Sequence, residues 1–434
     1  MILSFSVSNY LSFKEKQTIS FEAASIRDSV LTNTYQTAFH DLKVLKAIIL
    51  FGPNGSGKSN FIEALRFVID FISNSAKESQ INEAIDVSYF KFNEATIKKP
   101  SSFEIKFLIG DLRYKYVLSV DSEKIHYEQL IQIAKTREYI LFTRTFNSIV
   151  IEDRFGEAHN IEQFVRPNAL FISVAALFNI KIAISILELL NIQKKIIFIN
   201  DTFAFESVTA KMMENPEYKF EILNFLKTAG LSFKDLRFQK KEIDPTLLET
   251  LPKAARKSYL RRIENYLIQT VYDVFDEAGN VISSETLDLR HEESQGTRKM
   301  FAIAGPFIDA ILHGKILVMD EFTARLHPKL ASFIIKYFYL RTPNSLLPSQ
   351  LILASHNTHI MDKSLFRRDQ IYLTRRDKYY ASEAQNLLQT GIRHDANYVK
   401  KYLEDELGFL PELIKLSSEK GPQQFNLFNE EDEK

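Results

Sequence analysis

The sequence predicts an α/β protein in which a mixed β-sheet flanked by helices is joined to a β-rich subdomain and a helical insertion. Three observations lead to this prediction. A short apolar run at residues 46–51 is followed by an amphipathic helix pattern, residues 89–151 alternate between apolar and polar positions, and residues 178–267 are charged and mostly helical in pattern. Buried strands that alternate with helices are typical of a sheet covered on both faces.

The first half of the chain is predicted to form strands around one long helix. Residues 1–23 alternate with a period of two, which predicts two strands. KAIILF at 46–51 is mostly apolar, as in a strand buried on both faces. The apolar residues of the next segment recur at helical spacing, and these are Phe61, Leu65, Val68 and Ile72.

The second half begins with a predicted hairpin. TVYDVFDEAGNVISSETLDLR has two alternating arms and a turn at Gly279-Asn280. After it, the patterns predict helices at 300–313 and 328–341 and strands at 315–319, 350–354 and near 370–374. Residues 417–434 are polar and acidic, and this composition predicts a disordered tail.

Composition excludes several classes of protein. The 434 residues include 55 Lys and Arg against 55 Asp and Glu, so the net charge by itself predicts no nucleic-acid or membrane partner. The chain has no cysteine, which excludes disulfides and thiolate metal sites. The first residues lack the pattern of a signal peptide, and no apolar stretch approaches the roughly 20 residues of a membrane helix, so we expect a cytoplasmic protein.

A glycine-rich loop follows the buried strand at 46–51. GPNGSGKS fits the pattern G-x-x-x-x-G-K-[ST] at every fixed position. Glycines let backbone N–H groups converge on phosphate oxygens, and the N-terminus of the following helix adds a favourable dipole. Lys58 should reach the β- and γ-phosphates of ATP, and the Ser59 hydroxyl should bind Mg²⁺. The predicted nucleotide-binding residues are Gly52, Pro53, Asn54, Gly55, Ser56, Gly57, Lys58, Ser59 and Asn60.

Two adjacent acids end the strand predicted at 315–319. Asp320 is suited to hold Mg²⁺, and Glu321 is suited to polarise the attacking water. On its own, the hexamer ILVMDE fits an ordinary strand end with solvated acids equally well. The glycine loop upstream favours the catalytic interpretation.

Three further motifs lie around these acids. EESQGTRK comes one helix before the acidic strand, LHP follows the acids at 326–328, and SHNTH at 355–359 follows the next buried strand. In this order the motifs resemble the ABC-type ATPases, and within them the RecF/SMC/OLD-like branch. The chain looks most like the standalone AAA-type ATPases of bacterial defence operons, which have the ATPase core of OLD-family proteins without the nuclease. The resemblance implies a P-loop NTPase with an ABC-type head.

The resemblance also implies an ATP site shared between two copies of the chain. His356 would sense the γ-phosphate beside the catalytic Lys58 and Glu321. ATP would hold a homodimer or a higher homo-oligomer closed, and hydrolysis would release it. The signature residues that would cover the γ-phosphate on a partner subunit are Ser294, Gln295, Gly296 and Thr297.

The chain departs from the family pattern in its N-terminal segment and after the acids. Leu11 stands where many members have an arginine in an N-F-R-S segment. Phe322-Thr323-Ala324-Arg325 stands at the D-loop and lacks its usual Asp. We place no glutamine as a Q-loop residue, and we assign no role to His327 or His359.

The expected division of the chain follows from these motifs. An N-terminal ATPase lobe with the glycine loop and the β-rich subdomain is expected at 1–177, and a helical insertion at 178–267. A C-terminal ATPase lobe with the signature, the acids and the switch histidine is expected at 268–416, before the acidic tail at 417–434.

The leading hypothesis is a sensor or regulatory ATPase of a bacterial anti-phage defence system that controls a separate effector, a nuclease or a toxin. The separate effector is inferred partly by exclusion, because the sequence shows no nuclease carboxylate cluster and too little chain follows His356 for a nuclease domain. The second hypothesis is a RecF-like ATPase of DNA repair that binds DNA. The third is the ATPase subunit of a membrane transporter, for which the β-rich and helical insertions are unusual.

Two segments indicate partner surfaces. In the tail, Gln424, Leu427 and Phe428 belong to a peptide similar to those that dock on bacterial sliding clamps, although a hook for another subunit, or no role, fits as well. Upstream, basic residues share one face of a predicted helix, which suits a nucleic-acid backbone or an ordinary solvated surface. These basic residues are Lys253, Arg256, Lys257, Arg261 and Arg262.

Overall fold

Eighteen strands and nine helices are defined in the computed structural model, which describes residues 1–26, 28, 32–77, 83–134, 137–156, 160–192, 194–200, 202–240, 266–342 and 347–410. The strands are β1 Ile2–Ser8, β2 Gln17–Ser20, β3 Thr34–Gln36, β4 Lys43–Leu45, β5 Ala47–Phe51, β6 Ser101–Ile109, β7 Leu112–Val120, β8 Ile125–Ala134, β9 Arg137–Thr145, β10 Ser148–Ile151, β11 Ile196–Ile199, β12 Asp235–Lys240, β13 Tyr266–Phe275, β14 Val281–Asp288, β15 Ile316–Met319, β16 Gln350–Ser355, β17 Ile371–Arg376 and β18 Ser382–Asn386. The helices are α1 Lys58–Asn74, α2 Glu94–Ile97, α3 Phe171–Leu177, α4 Lys181–Leu189, α5 Glu206–Met212, α6 Pro216–Thr228, α7 Gln295–His313, α8 Pro328–Arg341 and α9 Tyr398–Leu403.

A six-stranded sheet in the order β11-β15-β16-β5-β17-β18 positions the predicted site. β5 pairs in parallel with β16 on one side and with β17 on the other, while β18 runs antiparallel to β17. Every residue of β5, β15 and β16 is buried, as predicted for strands covered on both faces. The carboxyl ends of these three strands meet at one edge, where the glycine loop, the two acids and SHNTH begin.

A seven-stranded antiparallel sheet in the order β10-β9-β8-β7-β6-β1-β2 packs against α1. The buried positions alternate along β6 and β7, which confirms the pattern predicted for residues 89–151 from Ser101 onward, whereas α2 stands at Glu94–Ile97 in place of a strand. Aromatic contacts join the sheet to the helix: the ring centroids of Phe5 and Phe61 are 5.4 Å apart, and those of Tyr10 and Phe67 are 5.7 Å apart. The helix behind the glycine loop is therefore anchored to the N-terminal strands.

The range 178–267 contains strands as well as the predicted helices. α4, α5 and α6 lie within it, but β11 pairs in parallel with β15, and β12 pairs with β13. The mostly helical pattern is therefore corrected at Ile196–Ile199 and Asp235–Lys240. A run of four apolar residues fits a buried strand or a buried helical turn equally well, and the partner strand decides between them. Residues 241–265 lie outside the described residues.

The predicted hairpin is confirmed. β13 and β14 pair antiparallel over almost their whole length. Asp276 holds the turn, because its Oδ1 accepts hydrogen bonds from the backbone N–H of Ala278 at 3.0 Å and of Asn280 at 2.7 Å. The hairpin then leads the chain into the turn at Ser294, where α7 begins.

Two apolar clusters stabilise the fold on opposite faces of the central sheet. Ile48 and Leu50 of β5 belong to the cluster that includes α1 and the antiparallel sheet. Ile49 and Phe51 belong to the cluster that includes α6, α7 and α8. Alternate residues of one strand thus bind two layers together, and the central strand fixes the glycine loop relative to both.

Among the helices of the described ranges, none is by itself long and apolar enough to span a membrane. One bent pair, α3 and α4, meets the criterion of length and composition only when the two helices are taken together, with an angle of 112° between them.

Candidate functional site

The glycine loop is held tightly where it leaves β5. Ser56 and Thr374 share a hydrogen bond of 2.6 Å between their hydroxyl oxygens, and the Thr374 hydroxyl also donates to the Phe51 carbonyl at 3.0 Å. A Cβ atom at Gly52 would collide with Thr374. Gly57 has a φ of 104°, which a side chain strongly disfavours, and it caps α1. The glycines at these two positions therefore meet requirements of space and backbone conformation.

Lys58 lies at the start of α1 and turns back into the loop. Its Nζ donates to the carbonyls of Gly52 at 2.8 Å and Pro53 at 2.9 Å. Burial lowers the pKa of the ammonium, while the nearby carboxylates of Asp320 and Glu321 act to raise it. The next residue, Ser59, is exposed at the mouth of the loop.

The two predicted catalytic acids follow β15 directly. The Oδ1 of Asp320 accepts a hydrogen bond of 2.9 Å from the backbone N–H of Glu321. Glu321 has a φ of 44°, in the left-handed region that residues other than glycine rarely adopt. The next residue is fixed to the neighbouring strand, since the N–H of Phe322 donates to the carbonyl of Ala354 at 3.0 Å. A sharp turn therefore displays both acids beyond the end of the sheet.

The glycine loop, the acids and the histidine surround one cavity of about 180 Å³. Lys58, Ser59, Asp320, Glu321 and His356 all line it. The structure thus brings together residues of the loop, the acids and the histidine from segments far apart in the chain, whereas Gly52 and Pro53 of the predicted loop residues do not line the cavity. The other lining residues are Asn54, Gly55, Ser56, Gly57, Asn60 and Ser355.

Ser355 is a lining residue that the sequence did not reveal. Its hydroxyl lies 2.7 Å from that of Thr323 and accepts a hydrogen bond of 2.9 Å from the N–H of Asn357. It therefore joins the segment after the acids to the loop that carries His356. Its place immediately before the predicted histidine was the signal available.

The signature residues Ser294–Thr297 form the N-terminal cap of α7. The Oγ of Ser294 accepts a hydrogen bond of 3.1 Å from the N–H of Thr297, and α7 starts at Gln295. Ser294 and Gln295 are exposed, and neither they nor Gly296 and Thr297 line the cavity of the same chain. A Cβ atom at Gly296 would lie 3.4 Å from the carbonyl oxygen of Arg325, so the turn packs against the segment at the D-loop position.

Lys299 connects α7 to the acids, and the sequence motifs missed it. Only 4% of the side chain is exposed, and its Nζ donates to the carbonyl of Glu321 at 3.0 Å. Burial lowers its pKa to about 8, with Glu321 acting to raise it and Arg325 to lower it. A lysine among apolar helix positions was the available signal.

The N-terminal NYLSF segment reaches the glycine loop through Ser12 and not through Leu11. The Oγ of Ser12 accepts hydrogen bonds from the Nδ2 of Asn60 at 2.7 Å and from the Oγ of Ser382 at 2.8 Å. Leu11 instead bonds through its backbone N–H to the carbonyl of Ser88 at 2.8 Å. After Ser355 and Lys299, Ser12 is thus a third residue of this neighbourhood that the motifs did not single out.

The remaining predicted residues are placed as follows. His327 caps α8 by accepting a hydrogen bond of 3.2 Å from the N–H of Lys329, and the Nδ1 of His359 lies 2.9 Å from the Oδ1 of Asn357. The basic residues of 253–262 and the tail residues Gln424, Leu427 and Phe428 lie outside the described residues.

A glycine loop between a buried parallel strand and a helix, with two acids and a histidine around the same cavity, defines a P-loop ATPase. The model of a protein family described as "AAA domain, putative AbiEii toxin, Type IV TA system" matches residues 48–362. The match covers more than half of the chain, and the protein belongs to this family.

Solved structures of SMC heads are similar to the chain at low sequence identity. The SMC head domain from Thermotoga maritima is 13% identical with a TM-score of 0.37, and the match covers 89% of this chain and 98% of that chain. An SMC head bound to the C-winged helix domain of ScpA is 13% identical with a TM-score of 0.44 and coverages of 89% and 99%. An SMC head with an extended coiled coil, bound to the C-terminal domain of ScpA derived from Pyrococcus furiosus, is 11% identical with a TM-score of 0.37 and coverages of 93% and 99%. No curated protein matches the chain.

Proposed function

We propose that the protein hydrolyses ATP in the cavity at the carboxyl ends of β5, β15 and β16. The observation that carries this proposal is the convergence of Lys58, Asp320, Glu321 and His356 around one cavity of about 180 Å³. A cation, two acids and a histidine beside a phosphate-binding loop supply the parts that phosphoryl transfer to water needs.

The loop and the start of α1 bind the triphosphate. Backbone N–H groups and the helix dipole attract the phosphates, and the Lys58 ammonium neutralises them. The Ser59 hydroxyl and the Asp320 carboxylate fit Mg²⁺, since both are oxygen donors that line the same cavity. In the described ranges, no group of three or more His, Cys, Asp or Glu side chains could hold a metal by itself. Mg²⁺, when bound, would neutralise charge on the phosphates.

Glu321 polarises the attacking water and accepts its proton. Its left-handed backbone, the bond to Asp320 and the bond from Lys299 hold the acid at the mouth of the cavity. His356, exposed at the end of β16, donates to the γ-phosphate and senses its loss.

The signature turn acts on the ATP of a partner subunit. Within one chain the turn lies outside the cavity, exposed and already capped as a helix N-terminus. A second copy can therefore present it to the γ-phosphate, so that ATP favours a closed homodimer or higher homo-oligomer. Because both subunits contact the phosphate that hydrolysis removes, turnover opens the assembly.

In the cell, this switch controls a toxic or nucleolytic effector of an OLD-like anti-phage defence system. The description of the family, an AAA domain and putative toxin of a type IV toxin–antitoxin system, supports a place in such a system, with the toxin in this chain or in a separate effector. A RecF-like role on DNA, with or without a sliding clamp, depends on segments outside the described residues. A transporter role has no further support from the described residues.

The test of the proposed chemistry is a pair of substitutions. Glu321→Gln removes the base but keeps the shape, so turnover should fall at least about 100-fold while ATP binding is retained. Lys58→Ala should lose ATP binding, because the loop then lacks its buried cation. Phosphate release and calorimetric ATP binding measure the two effects. Turnover that survives in Glu321→Gln, or unchanged affinity in Lys58→Ala, would contradict the assignments.

The test of the cellular role is purification of the native assembly from its host, with the Glu321→Gln form as the trapped state. Recovery of a nuclease or toxin subunit together with loss of phage resistance in Glu321→Gln cells supports the defence role. Recovery of recombination proteins, a sliding clamp or a permease in its place rejects it in favour of repair or transport.

A further inference from the structure

An exposed aromatic cluster lies at the turn between β17 and β18. Phe92 and Tyr380 are 57% and 55% exposed, and their ring centroids are 5.2 Å apart. The guanidinium of Arg376 lies 5.8 Å from the centroid of the Phe92 ring and 5.2 Å from that of Tyr380. We call these three side chains the aromatic platform. The two ring planes are tilted by 55°, so a planar ligand can lie on the π-face of one ring and contact the other ring with its edge.

Local hydrogen bonds hold the platform in place. The Nε of Arg376 donates to the carbonyl of Tyr380 at 3.0 Å. The Oδ1 of Asp377 accepts bonds of 2.8 Å from the N–H groups of Tyr379 and Ala381. Tyr380 itself has a φ of 66°, a left-handed conformation that this turn imposes. These hydrogen bonds therefore fix the turn that carries the Tyr380 ring.

The platform lies directly beside the glycine loop. Two residues beyond Tyr380, the N–H of Ser382 donates to the Ser12 carbonyl at 2.7 Å, and the Ser382 hydroxyl donates to that of Ser12 at 2.8 Å. Ser12 in turn accepts from Asn60 of α1, and a Cβ atom at Gly57 would collide with Ser382. The turn is therefore packed against the phosphate-binding loop itself.

The order of the strands places the platform at the opposite end of the site from the acids. Asp320, Glu321 and His356 follow β15 and β16, which lie on one side of β5. Arg376 ends β17 and Tyr380 follows it, on the other side of β5, and Phe92 packs beside Tyr380. A triphosphate whose terminal phosphate faces the acids and His356 therefore directs its nucleoside end toward β17 and the platform.

We propose that the platform binds the nucleobase of the nucleotide, with the base stacked on the ring of Tyr380, its edge toward Phe92, and near the guanidinium of Arg376. This inference rests on the proposed function, since it takes the phosphates to be bound by the glycine loop. Stacking on an aromatic ring needs only the π-face of a base, and an arginine beside the rings adds to the attraction. The platform contributes affinity for the base and none for the phosphates.

The test compares ATP with inorganic tripolyphosphate, which has the phosphates and no base. Both affinities are measured by calorimetry with Mg²⁺ in the Glu321→Gln background, which prevents turnover. Tyr380→Ala should weaken ATP binding about tenfold or more and leave tripolyphosphate binding unchanged. The matched control is Tyr379→Ala, because Tyr379 is 64% exposed on the same turn and its ring lies beside Lys378, 5.0 Å from the Nζ. This control should change neither affinity.

A fluorescence measurement tests the same contact without loss of a ring. The chain contains no tryptophan, so Tyr380→Trp introduces a single reporter. ATP should quench its emission and tripolyphosphate should not, while the emission of Tyr379→Trp should respond to neither.

The outcomes separate the two proposals. Unchanged ATP affinity in Tyr380→Ala, or an equal loss for ATP and tripolyphosphate, rejects the platform and leaves the phosphate site standing. Failure of the Glu321→Gln protein to bind either ligand rejects the phosphate site, and the platform with it.

Discussion

Glu321 is a strained residue that its surroundings keep in place. A φ of 44° costs a residue other than glycine roughly 1 kcal/mol or more. Asp320 accepts from its N–H, and the buried Lys299 donates to its carbonyl at 3.0 Å. Since Lys299 belongs to α7, the helix that begins at the signature turn is tied by one hydrogen bond to the acid of the same chain. We expect Lys299 to position the acid.

Replacement of Lys299 has a predicted effect on stability that depends on pH. Burial lowers the pKa of Lys299 to about 8, against 10.5 for an ordinary lysine. The unfolded chain therefore holds the proton more tightly, and the charged lysine opposes folding fully below pH 8 and progressively less up to pH 10.5. The free energy of unfolding of the wild type should rise, relative to Lys299→Met, by up to roughly 3 kcal/mol across that window. Urea unfolding at several pH values measures it.

Lys46 supplies the matched control. It is buried at the opposite end of β5, where it donates to the Thr342 carbonyl, and burial lowers its pKa to about 8 as well. Relative to Lys46→Met, the free energy of unfolding of the wild type should rise with pH as it does relative to Lys299→Met. Lys46→Met should retain turnover. Lys299→Met should lose turnover about tenfold or more, because Glu321 is no longer held in position. Equal turnover in the two variants would reject the positioning role of Lys299.

At the scale of elements, the proposed shared site requires that the N-terminus of α7 can accept an anion from a partner subunit. Ser294 caps the helix, and the first turn contains no acidic residue. Ser294→Asp should keep the cap, since Asp is a good capping residue, but it places a carboxylate where a partner's γ-phosphate would bind. We therefore expect ATP binding to remain and hydrolysis to fall at least about tenfold.

The neutral variant Ser294→Asn separates charge from folding. Asn also caps helices, so the free energy of unfolding of both variants should lie within about 1 kcal/mol of the wild-type value. Urea unfolding measures it. Hydrolysis by Ser294→Asp at the wild-type rate would show that the turn is only a cap.

The elements show what could be predicted from the sequence and what could not. The helix at Pro328–Arg341 and the buried strands β5 and β16 were predicted closely, since long periodic or wholly apolar runs carry their structure locally. β11 was missed because IIFI becomes a strand only through its pairing with β15.

The candidate site also contains residues that could be predicted from the sequence and residues that could not. Lys58, Asp320 and Glu321 belong to motifs with fixed spacing, so their positions were predicted by residue number. Lys299 and Ser12 were missed because their roles come from hydrogen bonds to Glu321 and Asn60, distant in the chain. Tertiary contacts of this kind leave no local pattern.

At the scale of the whole molecule, we propose that two copies of the chain complete one ATP site. A single chain separates its cavity from its signature turn, yet Lys299 ties the turn's helix to the acid beside that cavity. In the proposed dimer, binding of a partner's phosphate at Ser294 therefore affects the position of Glu321 through Lys299. We expect these contacts to couple the two ATP sites of that dimer.

The most direct measurement is the turnover of a mixed dimer. Lys58→Ala and Ser294→Asp subunits, each expected to hydrolyse ATP at least about tenfold more slowly than the wild type when alone, are co-expressed with different tags, and the assembly that carries both tags is purified. One of its two sites combines the intact loop of the Ser294→Asp subunit with the intact turn of the Lys58→Ala subunit. We predict phosphate release at up to about half the wild-type rate. A mixed assembly as inactive as its parents would contradict the shared site.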